Sequence, residues 1–301
     1  MSKHATHASV SASLTQSVLQ AAERLGLPRA QLLSSSGLNE AQLADPDARI
    51  ALGAQQLLWQ TIQQQLEHPE PGLAIGLQLA PGPFSVLGYL LQSSPTLGAA
   101  LETAQRYQRL VGEGGELQLL EQHDCLQLIY HPSHPGHPAN RPRILALMAC
   151  WVQWMRPLLK DFHLLGVQLA HAAPAQQEDY QRCFDCPLEF SAAHYALLLP
   201  AAQRQASLTQ ANPALQSVLR QHAEALLAQL PSESLGARVV ALSQIQEEDW
   251  TLNISRYVLP PIGEDIPPLD VAIEDFKSAW GRAQEAEAKL RTLLNEGGWL
   301  N

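Results

Sequence analysis

Charged side chains are scarce in this chain, and cysteines are few. Only 16% of its 301 residues are charged, whereas 46% are hydrophobic. A chain that is poor in charge and rich in apolar residues forms a globular core and does not stay disordered. At this length the chain can hold one large domain or two modest ones.

The sequence also lacks any long apolar segment. Its opening residues, Met1 to His4, contain no apolar core of the kind that a signal peptide needs. No uncharged apolar run approaches the roughly 18 residues that are required to span a bilayer. We therefore expect a cytoplasmic protein without membrane contact, in which the four cysteines stay reduced.

Basic residues are outnumbered by acidic ones, 19 to 29, which gives a net charge of −10. Because phosphate recognition rests on a cationic surface, this balance argues against direct binding of nucleic acid. The charge is also unevenly distributed. Residues 1–238 carry 14 basic and 18 acidic groups, and residues 239–301 carry 5 and 11. This shift predicts two domains, residues 1–238 and residues 239–301.

The spacing of apolar residues predicts an α+β fold in which helices come first. Residues 10–25 and 50–66 carry apolar side chains at helical spacing, and Thr96 can cap the helix that follows it. Alternation typical of strands comes later, at residues 116–119, 126–130, 164–169 and 195–199. Helical patterns at residues 143–159, 178–184 and 213–230 are interleaved with these strands. We expect an N-terminal helical part followed by a small antiparallel sheet with packed helices, then an extended segment and a C-terminal helix.

A set of short phrases, in a fixed order, covers about three quarters of the chain. They are Gly26-Leu27-Pro28, Asp45 to Ile50, Leu58-Trp59, Gly72 to Gly76, Leu87-Gly88-Tyr89, Ser94 to Leu97, Cys186 to Phe190 and Ala211-Asn212-Pro213. This set resembles the N-terminal, arabinose-binding-like effector domain of AraC/XylS-type transcription regulators. The resemblance implies a small-molecule sensor, followed by paired helix-turn-helix units that read DNA. No basic recognition helix follows Arg238, so we expect no direct nucleic-acid binding by this chain alone.

The last fifth of the chain is similar to a different family. The phrase from Trp250 to Val258 resembles the C-terminus of the methyltransferase subunit of type I restriction-modification systems. That resemblance implies a terminal helix that packs on a specificity subunit, here residues 269–294. It also implies a partner-binding segment. The segment contains Asn253, Ile254, Arg256 and Tyr257. The adenine-binding loop of that family is absent, because the phrase Asn212 to Leu215 lacks its second proline and its aromatic residue.

Two groups of residues have the spacing of metal or redox sites, but both favour a structural interpretation. Cys183 and Cys186 have the spacing of half a zinc site, and a second pair is absent. His131, His134 and His137 recur at every third residue, and prolines between them predict an exposed loop. We also find no ordered Ser-His-Asp set that can be told from chance. These observations predict a protein that is not an enzyme and has no cofactor or metal.

Four aromatic residues are the candidates for ligand contact. Trp151 and Trp154 lie one helical turn apart on the predicted helix 143–159, and Phe84 and Tyr89 come from a segment that could cover them. Aromatic residues at helical spacing are more often plain core, so both interpretations stay open. Together with the resemblance, these residues predict a domain that binds a small-molecule effector and forms a homodimer or titrates a full-length regulator. The alternative is an interaction subunit of a restriction-modification complex.

Overall fold

The computed structural model of the protein describes residues 8–79 and 85–230. Helices dominate its first half: α1 (Ala12–Arg24), α2 (Arg29–Ser36), α3 (Glu40–Leu43), α4 (Leu52–Gln65), α5 (Pro71–Gln78), α6 (Ser85–Gln92) and α7 (Leu97–Val111). Three further helices follow: α8 (Asn140–Leu158), α9 (Glu178–Phe184) and α10 (Pro213–Gln229). A short 3₁₀ helix spans Ala201–Gln205. Among the described helices, none is long and apolar enough to cross a membrane.

The strands of the described residues form one two-stranded and one five-stranded sheet. They are β1 (Ser9–Ser11), β2 (Arg49–Ala51), β3 (Gly115–Gln122), β4 (Cys125–Pro132), β5 (Gly166–Leu169), β6 (Leu188–Phe190) and β7 (Tyr195–Pro200). The larger sheet has the order β3-β4-β7-β5-β6. Its neighbours are antiparallel except β5 and β6, which run parallel because α9 lies between them in the chain. The predicted α+β class is confirmed.

Local side-chain chemistry explains where several helices begin. The Ser11 hydroxyl accepts a hydrogen bond from the backbone N–H of Leu14 (3.2 Å) and caps α1. Thr96 caps α7 in the same way, through the N–H of Ala99 (3.2 Å), as its position predicted. Each cap satisfies a backbone donor that the first helical turn leaves unpaired.

Two helices start later than the apolar spacing predicted, because the residues before them pair as strands. Residues 10 and 50 were expected to be helical, but Val10 and Ile50 face each other across the β1–β2 pair. Both side chains are buried, at 2% and 4% exposure. The helices therefore begin at Ala12 and Leu52. Pairing between segments so distant in sequence overrides the local pattern, which helical periodicity alone cannot reveal.

Two apolar clusters form the interior, and α8 belongs to both. The first, which we call the N-terminal core, joins α1 to α4 through residues such as Leu19, Leu58 and Ile62. The second, which we call the sheet core, packs α6 and α7 against the large sheet through residues such as Leu101 and Leu128. From α8, Ala146 and Cys150 enter the N-terminal core, and Leu145, Met148, Trp151 and Met155 enter the sheet core.

Helices α5 and α8 cross at very short range. A Cβ atom added to Gly76 would lie 2.5 Å from the carbonyl oxygen of Ala146, and one added to Gly72 would lie 2.4 Å from that of Pro142. Real Cβ atoms do not approach backbone oxygens so closely. The two glycines, one helical turn apart on α5, are therefore required for this contact.

The last described helix, α10, packs on α6 and α7. The buried Gln216 amide donates to the Ser94 hydroxyl (3.1 Å), just after the end of α6. On α7, Arg106 forms an ion pair with Glu224 (2.8 Å), and the Tyr107 hydroxyl donates to the same carboxylate. Asn212 caps α10 through the N–H of Leu215 (3.1 Å). These contacts fix α10 against the same helices that enclose the interior.

Candidate functional site

A cavity lies where the N-terminal core meets the sheet core. Side chains from α1, α4, α6, α7 and α8 and from β3 and β4 form its wall. The space that the centre of a water-sized sphere can reach is about 110 Å³. A cavity of about 150 Å³ holds a benzene molecule in an engineered protein, so this volume suits a small organic ligand.

The two predicted tryptophans are part of this wall. Trp151 and Trp154 both line the cavity from α8. Their rings meet edge to face, with centroids 5.9 Å apart and planes at 67°, a favourable arrangement for an aromatic pair. Both side chains are buried, at 8% and 6% exposure, so they contribute to the core as well as to the cavity wall.

The other two predicted ligand contacts are not placed beside them. Tyr89 is 51% exposed and does not line the cavity. The reason is helical geometry: Leu87 and Leu91 of α6 line the cavity, and a residue two positions from each lies on the opposite face. The structure therefore does not bring Tyr89 together with the two tryptophans. Phe84 lies outside the described residues, so its role stays a prediction.

Several wall residues come from segments that the sequence did not connect with a site. Leu14 and Val18 enter from α1, and Trp59 enters from α4. The apolar spacing of these helices showed that they have a buried face. It did not show that part of this face borders a cavity, because that depends on packing between helices distant in sequence.

One end of the cavity is polar, and Arg143 of α8 is its centre. One Nη atom of Arg143 donates to the Tyr130 hydroxyl (2.7 Å). The other donates to the carbonyl oxygen of Gly114 (2.8 Å) and to the Oδ1 atom of Asn140 (3.2 Å). The guanidinium also lies over the Tyr130 ring, 5.4 Å from its centroid. Arg143 is the charged residue that sequence analysis missed, since a single arginine on an apolar helix gives no motif.

Two glycines at the start of β3, Gly114 and Gly115, allow this polar group to form. A Cβ atom on Gly114 would lie 2.5 Å from an Nη atom of Arg143, and one on Gly115 would lie 2.5 Å from the Tyr130 hydroxyl. Both glycines line the cavity. Their role is to admit the guanidinium and the phenol ring close to the backbone.

Two more polar side chains line the cavity, and a third residue adds an unpaired donor. The Gln108 side chain accepts a hydrogen bond from the backbone N–H of Leu117 (2.6 Å), and the Gln55 amide donates to Thr15 (3.3 Å). The indole Nε1 of Trp59 is buried and has no hydrogen-bond partner among the described residues. An unpaired buried donor is costly and is a natural contact for a ligand acceptor.

A second polar cluster lies outside the cavity and joins α5, α8 and α9 to the sheet. Arg141 forms an ion pair with Glu70, whose carboxylate is almost fully buried, and donates to the Tyr180 hydroxyl (3.5 Å). The two ring nitrogens of His171 contact the Tyr180 hydroxyl (2.8 Å) and the Tyr195 hydroxyl (3.3 Å). Since a guanidinium can only donate, the Tyr180 hydroxyl can donate its own proton to His171. Burial raises the pKa of both tyrosines, which keeps them neutral.

This cluster predicts a defined pH dependence. Burial, and then the nearby Arg141 charge, lowers the pKa of His171 from 6.5 to about 4. Between these two values the unfolded chain binds a proton that the folded chain does not. The free energy of unfolding should therefore fall as the pH falls from 6.5 to about 4. In His171→Gln the free energy of unfolding, measured by urea unfolding at several pH values, should change less with pH over this range. The exposed His222→Gln is the control, and an equal slope in both variants would contradict the assignment.

The cysteine pair lies in the protein interior, whereas the three histidines lie at or near the surface. Cys183 and Cys186 are buried and form no disulfide. Burial raises the pKa of the Cys183 thiol to about 12 and that of Cys186 to about 11. Thiols that stay protonated at neutral pH are poor nucleophiles and poor metal ligands.

His131 and His134 are exposed, and His137 accepts a backbone hydrogen bond from Ala139 (3.2 Å). Within residues 8–79 and 85–230, no three His, Cys, Asp or Glu residues are placed to hold a metal ion.

The features predicted for the tail belong to residues that the structure does not describe. Three predicted features lie outside the described residues: the boundary at residue 238, the segment with Asn253, Ile254, Arg256 and Tyr257, and the helix at residues 269–294. The partner-binding role of the tail and a type I specificity subunit as its partner therefore stay predictions. The same holds for the predicted absence of direct DNA binding.

Comparison with known proteins identifies the family of the chain. The family model of the N-terminal arabinose-binding domain of the AraC transcription regulator matches residues 26–208. The ornithine utilization regulator of Pseudomonas aeruginosa is 27% identical over 237 residues, which is 78% of this chain and 70% of that protein. The crystal structure of the transcriptional regulator CdpR, also from Pseudomonas aeruginosa, matches with a TM-score of 0.49 and 19% identity. That match covers 63% of this chain and 59% of the CdpR chain. The chain belongs to the family of AraC-type transcription regulators that share the N-terminal arabinose-binding domain.

Proposed function

We propose that residues 8–230 form a sensor domain whose cavity binds a small, mainly apolar effector. The observation that supports this most directly is the position of the cavity. It lies at the junction of the two cores, and α8 contributes to its wall. Ligand pockets are concave, largely apolar and carry a few converging polar groups, as this one does. A regulatory role without catalysis, and without a cofactor, is part of the same proposal.

The chemistry of the wall argues for an effector that is neither a sugar nor a diamine. A sugar such as arabinose has hydroxyl groups that need matching polar partners, and most of this wall is apolar. The relative named for ornithine utilization suggests a second candidate, but the two amino groups of ornithine need acidic partners. No Asp or Glu is found among the described residues of the wall. An aromatic or branched aliphatic body fits better against Trp151 and Trp154.

The helices of the wall suggest how binding reaches the rest of the chain. Leu87 and Leu91 of α6 and Ala104 of α7 line the cavity. The same two helices hold α10 through the Gln216–Ser94 hydrogen bond and the Glu224–Arg106 ion pair. We infer that a ligand changes the packing of α6 and α7 and thereby the position of α10. The rest of the chain comes directly after α10 in the sequence. A homodimer or a full-length regulator would respond to that change.

Replacement of Trp154 tests the proposal. Trp154→Leu removes an indole from the wall, so it should weaken the binding of a small neutral aromatic such as 2-phenylethanol about tenfold or more. The binding constant is measured by isothermal titration calorimetry. Phe184→Leu is the matched control, because Phe184 is buried in the same core (2% exposed) but does not line the cavity. Each variant should lose a comparable part of its stability, on the order of 1–3 kcal/mol.

Only the Trp154 variant should lose ligand affinity. An equal loss in both variants would show that the effect comes from lower stability alone. Undiminished binding in Trp154→Leu would place the ligand elsewhere, and the tryptophans would then be plain core residues.

A further inference from the structure

Arg143 carries a charge that nothing in the described part of the cavity neutralises. Among the described residues of the wall, it is the one ionisable side chain besides Tyr130 and Cys150. Its three hydrogen bonds go to neutral acceptors: a phenol, a backbone carbonyl and an amide oxygen. None of the ion pairs of the described residues involves Arg143. The cation, which is only partly buried, is thus surrounded by dipoles and some water, with no counter-charge among the described residues.

One donor of this guanidinium is unused. The Nε atom of Arg143 is buried and has no hydrogen-bond partner among the described residues. A buried, unpaired N–H on a charged group carries a larger penalty than one on a neutral group. An acceptor that enters the cavity can remove that penalty.

The acidic residue beside Gly114, Glu113, does not pair with Arg143. Glu113 directly precedes Gly114, but its carboxylate accepts hydrogen bonds from the backbone and hydroxyl of Ser9 (2.9 Å each) and from Arg109 (2.9 Å). Arg49 lies 3.8 Å from the same carboxylate. The negative charge of Glu113 is therefore already balanced by Arg109 and Arg49 and hydrogen-bonded to Ser9.

We propose that the effector carries a carboxylate and that Arg143 binds it, while the apolar body of the effector packs on Trp151 and Trp154. This assignment rests on the proposed sensor function and adds the chemical class of the ligand. A planar guanidinium suits a planar carboxylate, and a charge-assisted hydrogen bond is about twice as strong as a neutral one. The unpaired Nε1 of Trp59, which also borders the cavity, is a second donor for an acceptor on the ligand. The expected class is a small aromatic or branched aliphatic carboxylic acid.

Matched acids and alcohols test this class on the full chain. Benzoate, phenylacetate and 3-phenylpropanoate are compared by isothermal titration calorimetry with benzyl alcohol, 2-phenylethanol and 3-phenylpropan-1-ol. The acids should bind about ten- to a hundredfold more tightly than the alcohols of the same skeleton. In Arg143→Gln this preference should disappear, and the affinity for the alcohols should change by less than about threefold. Arg143→Lys, which keeps the charge and loses the planar fork, should recover part of the preference.

Exposed Arg220→Gln, on α10, is the charge-matched control and should keep the full preference. If Arg143→Gln does not fold by circular dichroism, the acid–alcohol comparison on the unaltered protein decides. Equal or tighter binding of the alcohols there overturns the inference.

The outcomes separate this inference from the proposed function. If alcohols bind as well as acids, and Trp154→Leu weakens both, the sensor function stands and the carboxylate assignment is wrong. If the acids keep their advantage in Arg143→Gln, the anion is bound by another group and the assignment is equally wrong. If no acid and no alcohol binds at millimolar concentration, both proposals fail.

Discussion

Gly76→Ala is expected to lower the free energy of unfolding by about 3 kcal/mol, at the upper end of the range for overpacked sites. The added methyl group would lie 2.5 Å from the carbonyl oxygen of Ala146 and 2.8 Å from the Cβ atom of Ala149. These neighbours belong to the backbone and a short side chain of α8, so they cannot rotate away. The helices must separate instead, and both cores loosen. Urea unfolding followed by circular dichroism measures the loss.

Gly53→Ala is the matched control for this prediction. Gly53 also lies in a helix, α4, but an added Cβ would meet nothing within 4 Å. Alanine is the better helix former there, so the variant should be unchanged or up to about 1 kcal/mol more stable. Similar values for the two variants would mean that the α5–α8 contact is looser than these distances indicate.

Glu70→Gln is expected to cost about 2–3 kcal/mol, because it leaves the Arg141 guanidinium without its counter-charge in a partly buried setting. The Glu70 side chain is 5% exposed, whereas that of Arg141 is 37% exposed, and this access to water limits the cost. The loss should also disturb the Tyr180–His171 hydrogen bond, since Arg141 donates to Tyr180. Thermal and urea unfolding measure the effect.

The surface pair of Arg29 and Glu40 provides the comparison. Its nitrogen–oxygen distance is 2.7 Å, but the Glu40 side chain is 64% exposed. Glu40→Gln should therefore cost much less than Glu70→Gln, because water screens an exposed ion pair. If both replacements cost the same, burial does not strengthen the Glu70–Arg141 pair.

Local features of the sequence were sufficient for the fold class and for part of the site. Apolar spacing located α8 and α10 within a few residues, and Thr96 marked the start of α7, because each of these signals depends only on neighbouring residues. The pair Trp151 and Trp154 was found for the same reason. One helical turn places both indoles on one side of α8, whatever packs against it.

Features that depend on contacts between distant segments were missed. The β1–β2 pair joins residues about 40 positions apart and shortened two predicted helices. Tyr89 was predicted to contact the ligand because its segment could cover the tryptophans, but Tyr89 lies on the exposed face of α6. The polar end needed Arg143, Tyr130 and Gly114 to meet from a helix, a strand and a turn. A local sequence pattern cannot predict these contacts, because they join segments that are distant in sequence.

The double membership of α8 has a consequence for how the domain can come apart. Its Ala146 side contributes to the N-terminal core and its Met155 side to the sheet core. Neither half of the domain could be excised as an independent fragment, since each would leave one apolar side of α8 facing water. Hydrogen exchange at the centre of this helix should therefore require global unfolding of residues 8–230. The N-terminal core and the sheet core should unfold as one cooperative unit.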